Sequence, residues 1–163
     1  MKNRVKAPAT DFFSMLPGYP SDERINEGPV AIIECEQEIP CNPCETSCPR
    51  GAITVGKPIT NLPVLKDKKC VGCGLCVANC PGQAIFMLDM TYSEKTALVA
   101  IPYEYVPLPE TGDIVIVKNR DGESIGEGTI NKIANSKATD KTNVVYIEVA
   151  KNIGREVRAI EIR

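Results

Sequence analysis

Eight cysteines fall into two blocks, and each block ends in Cys-Pro. The second block is unbroken: Cys70-Val-Gly-Cys73-Gly-Leu-Cys76-Val-Ala-Asn-Cys80-Pro81, a C-x2-C-x2-C-x3-C-P run. The first is a stretched copy, Cys35 and then Cys41-Asn-Pro-Cys44-Glu-Thr-Ser-Cys48-Pro49. Thiolates in this pattern are ligands of iron–sulfur cubanes. A short loop can turn three closely spaced thiolates onto one cube, while the fourth iron needs a ligand from elsewhere. Two 4Fe–4S cubanes take eight thiolates, and the chain has eight with none spare. The chemistry expected is one-electron transfer. All-cysteine zinc sites set their C-x2-C pairs about a dozen or more residues apart, whereas Cys70 to Cys80 lie within eleven positions. In the first block five residues, Glu36 to Pro40, separate Cys35 from Cys41. Without Cys35 that site would be a three-iron or labile cluster; the cysteine count favours the four-iron form.

Composition narrows the class. No apolar run is long enough to span a bilayer, and no apolar segment follows Met-Lys-Asn-Arg-Val-Lys-Ala-Pro, so neither a membrane span nor a secretory signal is expected. A cytoplasmic setting follows as an expectation, and with it metal rather than disulfides for the cysteines. The absence of histidine excludes a Rieske centre, a His-ligated haem and Ser–His or Cys–His catalysis on this chain. No catalytic residues are expected. A formal charge of −2 lacks the basic surplus usual for nucleic-acid binders, so no nucleic-acid partner is expected.

The elements that must position the cysteines are short. Residues 1–29 form an arm with an apolar cluster, Phe12-Phe13-Ser-Met15-Leu16, read either as disordered or as packing on a partner. Residues 30–90 hold a duplication: a short strand, a cluster loop, a short helix and a strand, written twice. Cys48-Pro-Arg-Gly-Ala-Ile53 and Cys80-Pro-Gly-Gln-Ala-Ile85 lead out of the two loops. Pro49 and Pro81 stop the preceding helices, and Gly72 and Gly74 are expected to let backbone amides approach the sulfurs. Residues 84–101 read as strand, turn and strand, and Pro102, Pro107 and Pro109 as a linker. From residue 110 to 163 four or five strands, with an Asp121-Gly122 hairpin signal and a bulge or bend at Gly126 and Gly128, suggest a small half-open barrel.

Charge differs between the loops. Glu34, Glu36, Glu38 and Glu45 flank the first, while Lys66, Lys68 and Lys69, with one Asp67, flank the second. Negative neighbours disfavour an added electron and positive ones favour it. The cluster bound through Cys70 is therefore expected to be reduced first.

Residues 30–90 resemble the bacterial two-cubane ferredoxins. That resemblance implies crossed ligation: Cys35, Cys41, Cys44 and Cys80 on one cluster, and Cys70, Cys73, Cys76 and Cys48 on the other. It implies a ferredoxin-like dicluster domain with a pseudo-two-fold repeat, placed over 30–105; with the small all-β SH3-like barrel that the strand pattern suggests over 110–163, the expected fold class is α+β. The strings Ile33-Glu-Cys-Glu-Gln-Glu-Ile-Pro-Cys-Asn-Pro-Cys-Glu-Thr-Ser-Cys-Pro49 and Tyr92-Ser-Glu-Lys-Thr-Ala-Leu-Val-Ala-Ile-Pro-Tyr-Glu104 are similar to small iron–sulfur subunits of flavin-dependent amino- or imino-acid dehydrogenase complexes, proline-type ones among them. This second resemblance implies a hetero-oligomer in which FAD or FMN sits on partner subunits and this chain relays single electrons. The alternative is a free-standing ferredoxin-like carrier.

Overall fold

In the computed structural model, residues 12–139 and 141–163 are described. Helix α1 (Asp22–Ile25) precedes strand β1 (Val30–Ile33). The first cysteine loop leads into α2 (Pro43–Ser47), and β2 (Ile53–Thr54) and β3 (Val64–Leu65) follow. The second loop leads into α3 (Leu75–Asn79) and β4 (Ile85–Asp89). The remaining strands are β5 (Thr96–Tyr103), β6 (Ile114–Lys118), β7 (Ser124–Ala134), β8 (Asn143–Ala150) and β9 (Ala159–Glu161).

The duplication folds as two matching halves. β1 enters the first loop and pairs antiparallel with β4, which leaves the second; β3 enters the second and pairs with β2, which leaves the first. Cys48 and Cys80 cap α2 and α3 with nearly equal dihedrals, φ −80° and ψ 108° against φ −80° and ψ 110°. Pro49 and Pro81 then carry the chain away, since neither can extend a helix. Three residues after each cysteine the backbone takes a left-handed turn, at Gly51 (φ +59°) and at Gln83 (φ +52°).

Apolar alternation assigns the faces of the β1–β4 pair. Ile33 stands opposite Ile85 and Ala31 opposite Met87, so these four share one face. Ile32 and Phe86 share the other, where the Arg158 guanidinium lies 4.9 Å from the Phe86 ring centre. All four β1 residues are buried. Burying an aliphatic side chain of this size contributes about 1.5–3 kcal/mol.

The sheet departs from the sequence expectation. β1 and β4 belong to one seven-stranded sheet of order β1-β4-β5-β8-β7-β6-β9. The C-terminal strands thus continue the cluster domain's sheet, and among the described residues no ladder closes them into a barrel of their own. The joint is β5, which pairs with β8 along all eight of its residues, from Thr96↔Ala150 to Tyr103↔Asn143. Pro102 lies inside this strand rather than in a linker; β4 stops pairing at Ala100, so one edge is free where the proline falls. A side-chain bridge joins the outer strands. Arg158, just before β9, donates from Nε to both Glu34 carboxylate oxygens (3.0 Å each) and from Nη2 to Oε1 (2.7 Å), just after β1. Arg120 pairs with the same carboxylate.

The bulge or bend expected in β7 is present: the ladder to β6 skips Ile125, beside Gly126, and the ladder to β8 skips Asn131. The two glycines also admit neighbours: a Cβ at Gly128 would stand 2.5 Å from Ile147 Cγ2, and one at Gly126 would stand 2.8 Å from Ile153 Cδ1. One further expectation needs correction. Residues 12–29 also pack on this chain itself. Pro17 accepts from Leu65 N–H (3.0 Å), Gly18 from Ile33 N–H (3.1 Å), and Arg120 lies over Phe13, 3.4 Å from its ring centre. The rest of the expected arm, residues 1–11, lies outside the described residues.

Candidate iron–sulfur centres

The eight cysteines are all free and gather four and four. Cys35, Cys41, Cys44 and Cys80 line one hollow of about 390 Å³, its open mouth included, together with Ile33, Ile39 and Ile85. Cys48, Cys70, Cys73 and Cys76 line a second of about 320 Å³, with Ala31, Ile53 and Met87. Each hollow therefore takes three cysteines from one block and the Cys-Pro cysteine from the other. Both rest on the same face of the β1–β4 pair: Ile33 and Ile85 floor the first, Ala31 and Met87 the second. Two residues along a strand separate the floors, about 7 Å.

The donor set fits iron–sulfur clusters. It is all sulfur, in apolar surroundings, and among the described residues no three Cys, Asp or Glu side chains converge tightly enough to hold a single ion. Burial pushes the Cys44 thiol up to about 11, with Cys80, Cys41 and Cys35 adding to it. Cys76 is raised further by burial and by Cys70, Cys73 and Cys48. Such thiols stay protonated until a positive centre displaces the proton. Backbone donors face the sulfurs: Ala52 N–H to Cys48 Sγ (3.3 Å), Ala84 N–H to Cys80 Sγ (3.4 Å) and Ala31 N–H to Cys70 Sγ (3.5 Å). With a cluster bound, these donors would stabilise its more negative, reduced form.

The donors are alanines, not the glycines expected for this role. Gly72 and Gly74 have other work, both in the left-handed region. A Cβ at Gly72 would stand 2.6 Å from Pro29 Cβ, and one at Gly74 would stand 3.0 Å from Tyr146 Oη. Tyr146, from β8, thus lies over the second loop. Burial raises its phenol above the usual range, and Cys73 and Cys76 add to the rise. Lys132 stands 4.3 Å from its ring centre. Sequence reasoning missed this cover, because nothing local connects residue 146 to residue 74.

The extra residues of the first block do not displace Cys35. Glu36 to Pro40 are all exposed, so the insertion loops into solvent and returns to Cys41. Several expected charges turn out to be engaged. Glu34 is buried between Arg158 and Arg120. Glu45 accepts from the Gly56 N–H (2.9 Å) and from that of Val55, which holds its carboxyl below the usual range. Lys68 pairs with Glu27 at 3.1 Å. Asp67 takes the Ser21 N–H (2.9 Å) and hydroxyl (2.7 Å), which lowers its pKa.

Residues 39–84 match the family model of the 4Fe–4S dicluster domain. The chain is 45% identical over 47 residues to one component of the ion-translocating oxidoreductase complex of Methanosarcina acetivorans, covering 29% of this chain and 17% of that one. It is 36% identical over 55 residues to the polyferredoxin-like subunit of an aliphatic sulfonate oxidoreductase of Pyrococcus furiosus, covering 34% and 29%. It is also 26% identical over 116 residues to the translation initiation factor RLI1 of Chaetomium thermophilum, covering 64% and 18%. The chain thus spans less than a third of the length of each of these relatives. No solved structure matches. Among the described residues no helix is long and apolar enough to cross a membrane. The chain carries a ferredoxin-like 4Fe–4S dicluster domain, set in a mostly antiparallel sheet.

Proposed function

We propose that this chain is the electron-transfer subunit of a flavin-dependent dehydrogenase complex. In this reading Cys35, Cys41, Cys44 and Cys80 hold one 4Fe–4S cluster, and Cys48, Cys70, Cys73 and Cys76 hold the other. One observation carries it: two four-cysteine hollows share the floor of a single strand pair, a placement suited to passing an electron from one to the other. Each cluster, when bound, supplies a one-electron couple. The chain's own residues hold the thiols in apolar hollows and aim N–H donors at the sulfurs. Tyr146 stands against Gly74 of the second loop, while Glu36, Glu38 and Ile39 stand exposed beside the first hollow. The segment 110–163 serves as a supporting unit for the cluster domain. The two matches to oxidoreductase subunits support a hetero-oligomer. The flavin partner, an amino- or imino-acid substrate and a cytoplasmic setting rest on the sequence resemblance.

The longer alignment to a translation factor favours a second reading, in which the clusters are structural parts of a translation-linked protein. Against it, the formal charge of −2 gives no basic surplus for RNA, and Tyr146, an aromatic of the C-terminal strands, is set against Gly74 of the second cysteine loop. Anaerobic purification of the tagged chain from its native host separates these readings. A large complex with a flavin spectrum supports the dehydrogenase subunit. Co-sedimentation with ribosomes supports the second reading, and a brown monomer of about the chain's own mass, 17.7 kDa, supports a free carrier.

A further inference from the structure

Arg24, on α1, is 7% exposed and reaches the second cysteine loop from behind. Its Nε donates to Asp67 O (3.1 Å), its Nη1 to Gly28 O (3.1 Å), and its Nη2 to Pro29 O (2.9 Å) and Cys70 O (2.7 Å). All four acceptors are backbone carbonyls. Among the described residues no carboxylate forms an ion pair with it. The carboxylate of Asp67 turns instead to Ser21, that of Glu27 to Lys68, and that of Asp22 to Arg155. A guanidinium stays charged at any physiological pH, so a cation that no described carboxylate neutralises is buried against the backbone of a cysteine that faces the second hollow. Among the described residues no Lys or Arg lines the first hollow, and the Arg120 and Arg158 guanidiniums pair with Glu34.

Resting on the cysteine assignment proposed above, we propose that Arg24 sets the potential of the Cys48/Cys70/Cys73/Cys76 centre above that of its twin. A buried cation favours the form with one more electron, because little solvent screens it. Arg50 lines this hollow but is exposed, as are Lys66 and Lys69, so water screens all three and they contribute less. Arg24 is a positioning residue: it touches the ligand's backbone, not the cluster.

The test is a mediated redox titration of the full chain, with dithionite as the one-electron donor and each centre followed by its spectrum. Iron is counted on the same samples. Arg24→Gln keeps hydrogen-bonding capacity and removes the charge. It should lower the reduced-to-oxidised ratio of the higher-potential centre about tenfold at a fixed ambient potential, a shift of about 59 mV for one electron. The other centre should hold its midpoint, and Arg24→Lys should restore the first. Full iron with both midpoints unchanged in Arg24→Gln would overturn the proposal. Should Arg24→Gln lose iron, Arg24→Lys decides, since an ammonium keeps the charge but cannot bridge four carbonyls. A wild-type midpoint in Arg24→Lys supports the charge; a drop at the higher-potential centre, alone or shared with the other, overturns it. Wild-type protein that holds iron at only one set of cysteines would sink the cysteine assignment itself, a separate result.

Discussion

The two cysteine loops repeat one pattern in different surroundings. The first wraps a five-residue helix with one buried residue, Cys44, and carries an exposed acidic insertion. The second is tighter. Its helix buries Cys76, Val77 and Ala78 and packs against β4, β5 and β8. Pro29 backs Gly72, Tyr146 covers Gly74, and Arg24 grips Cys70. A repeated motif can thus supply matching sets of four cysteines while the rest of the chain sets an acidic insertion beside one hollow and a buried guanidinium behind the other. For a relay, that asymmetry gives an electron a direction.

Crossing the ligands should break the comparison most severely. Cys80→Ser sits in the second block, yet it should remove the first centre, leaving about half the iron and the higher-potential signal. Cys48→Ser should do the reverse. Iron analysis with spectroscopy of the reduced protein checks both, and loss of the same centre from Cys80→Ser and Cys76→Ser would refute crossing.

The bridge across the sheet comes next in size. Glu34→Gln strands two guanidiniums, Arg158 being almost fully buried, and should cost about 3–5 kcal/mol in denaturant unfolding. Burial already holds the Arg158 guanidinium down to about 10. Arg158→Met combined with Glu34→Gln should cost less than the sum of the single changes.

Glycines separate the loops more finely. Gly72→Ala meets Pro29 as well as a left-handed backbone, while Gly51→Ala meets open space. The first should cost more than the second, whose penalty is about 1–2 kcal/mol. Gln83 occupies the position that Gly51 holds in the other half, so Gln83→Gly should be neutral or stabilising by up to about 1 kcal/mol. Thermal unfolding of the holoprotein reads all three.

The smallest effect belongs to Glu45. Its folded pKa is depressed, so its contribution is fully present above the ordinary value of 4.5 and is lost as pH falls through the folded value. Glu45→Gln should therefore melt lower at neutral pH, and the gap should close under acid. A gap that persists in acid would argue that the lost Val55 and Gly56 contacts act through geometry alone.

The gathering of the cysteines was legible because their spacing is local: three thiols on one short loop, a proline after the fourth, and the same pattern twice. The paired halves follow from the same repetition. Pairing over long separations was not legible. Leu98-Val-Ala-Ile101 reads as a strand, but nothing in it says that its partner is Val144–Val149 rather than a neighbouring hairpin, so the sheet was divided where it is continuous. Charges misled for a related reason. Glu34 and Glu45 look like field-setting acids in the sequence, whereas folding brings Arg158 to one and the Val55 and Gly56 amides to the other. Arg24 gave no signal at all, since its carbonyl partners are backbone atoms that no sequence pattern marks.

The most direct measurement is an iron and acid-labile sulfide count on anaerobically prepared full-length chain, joined to a redox titration. Two crossed 4Fe–4S centres require about eight iron and eight sulfide per chain and two one-electron waves at different potentials. About four iron with a single wave, or zinc in place of iron, would contradict a two-centre relay.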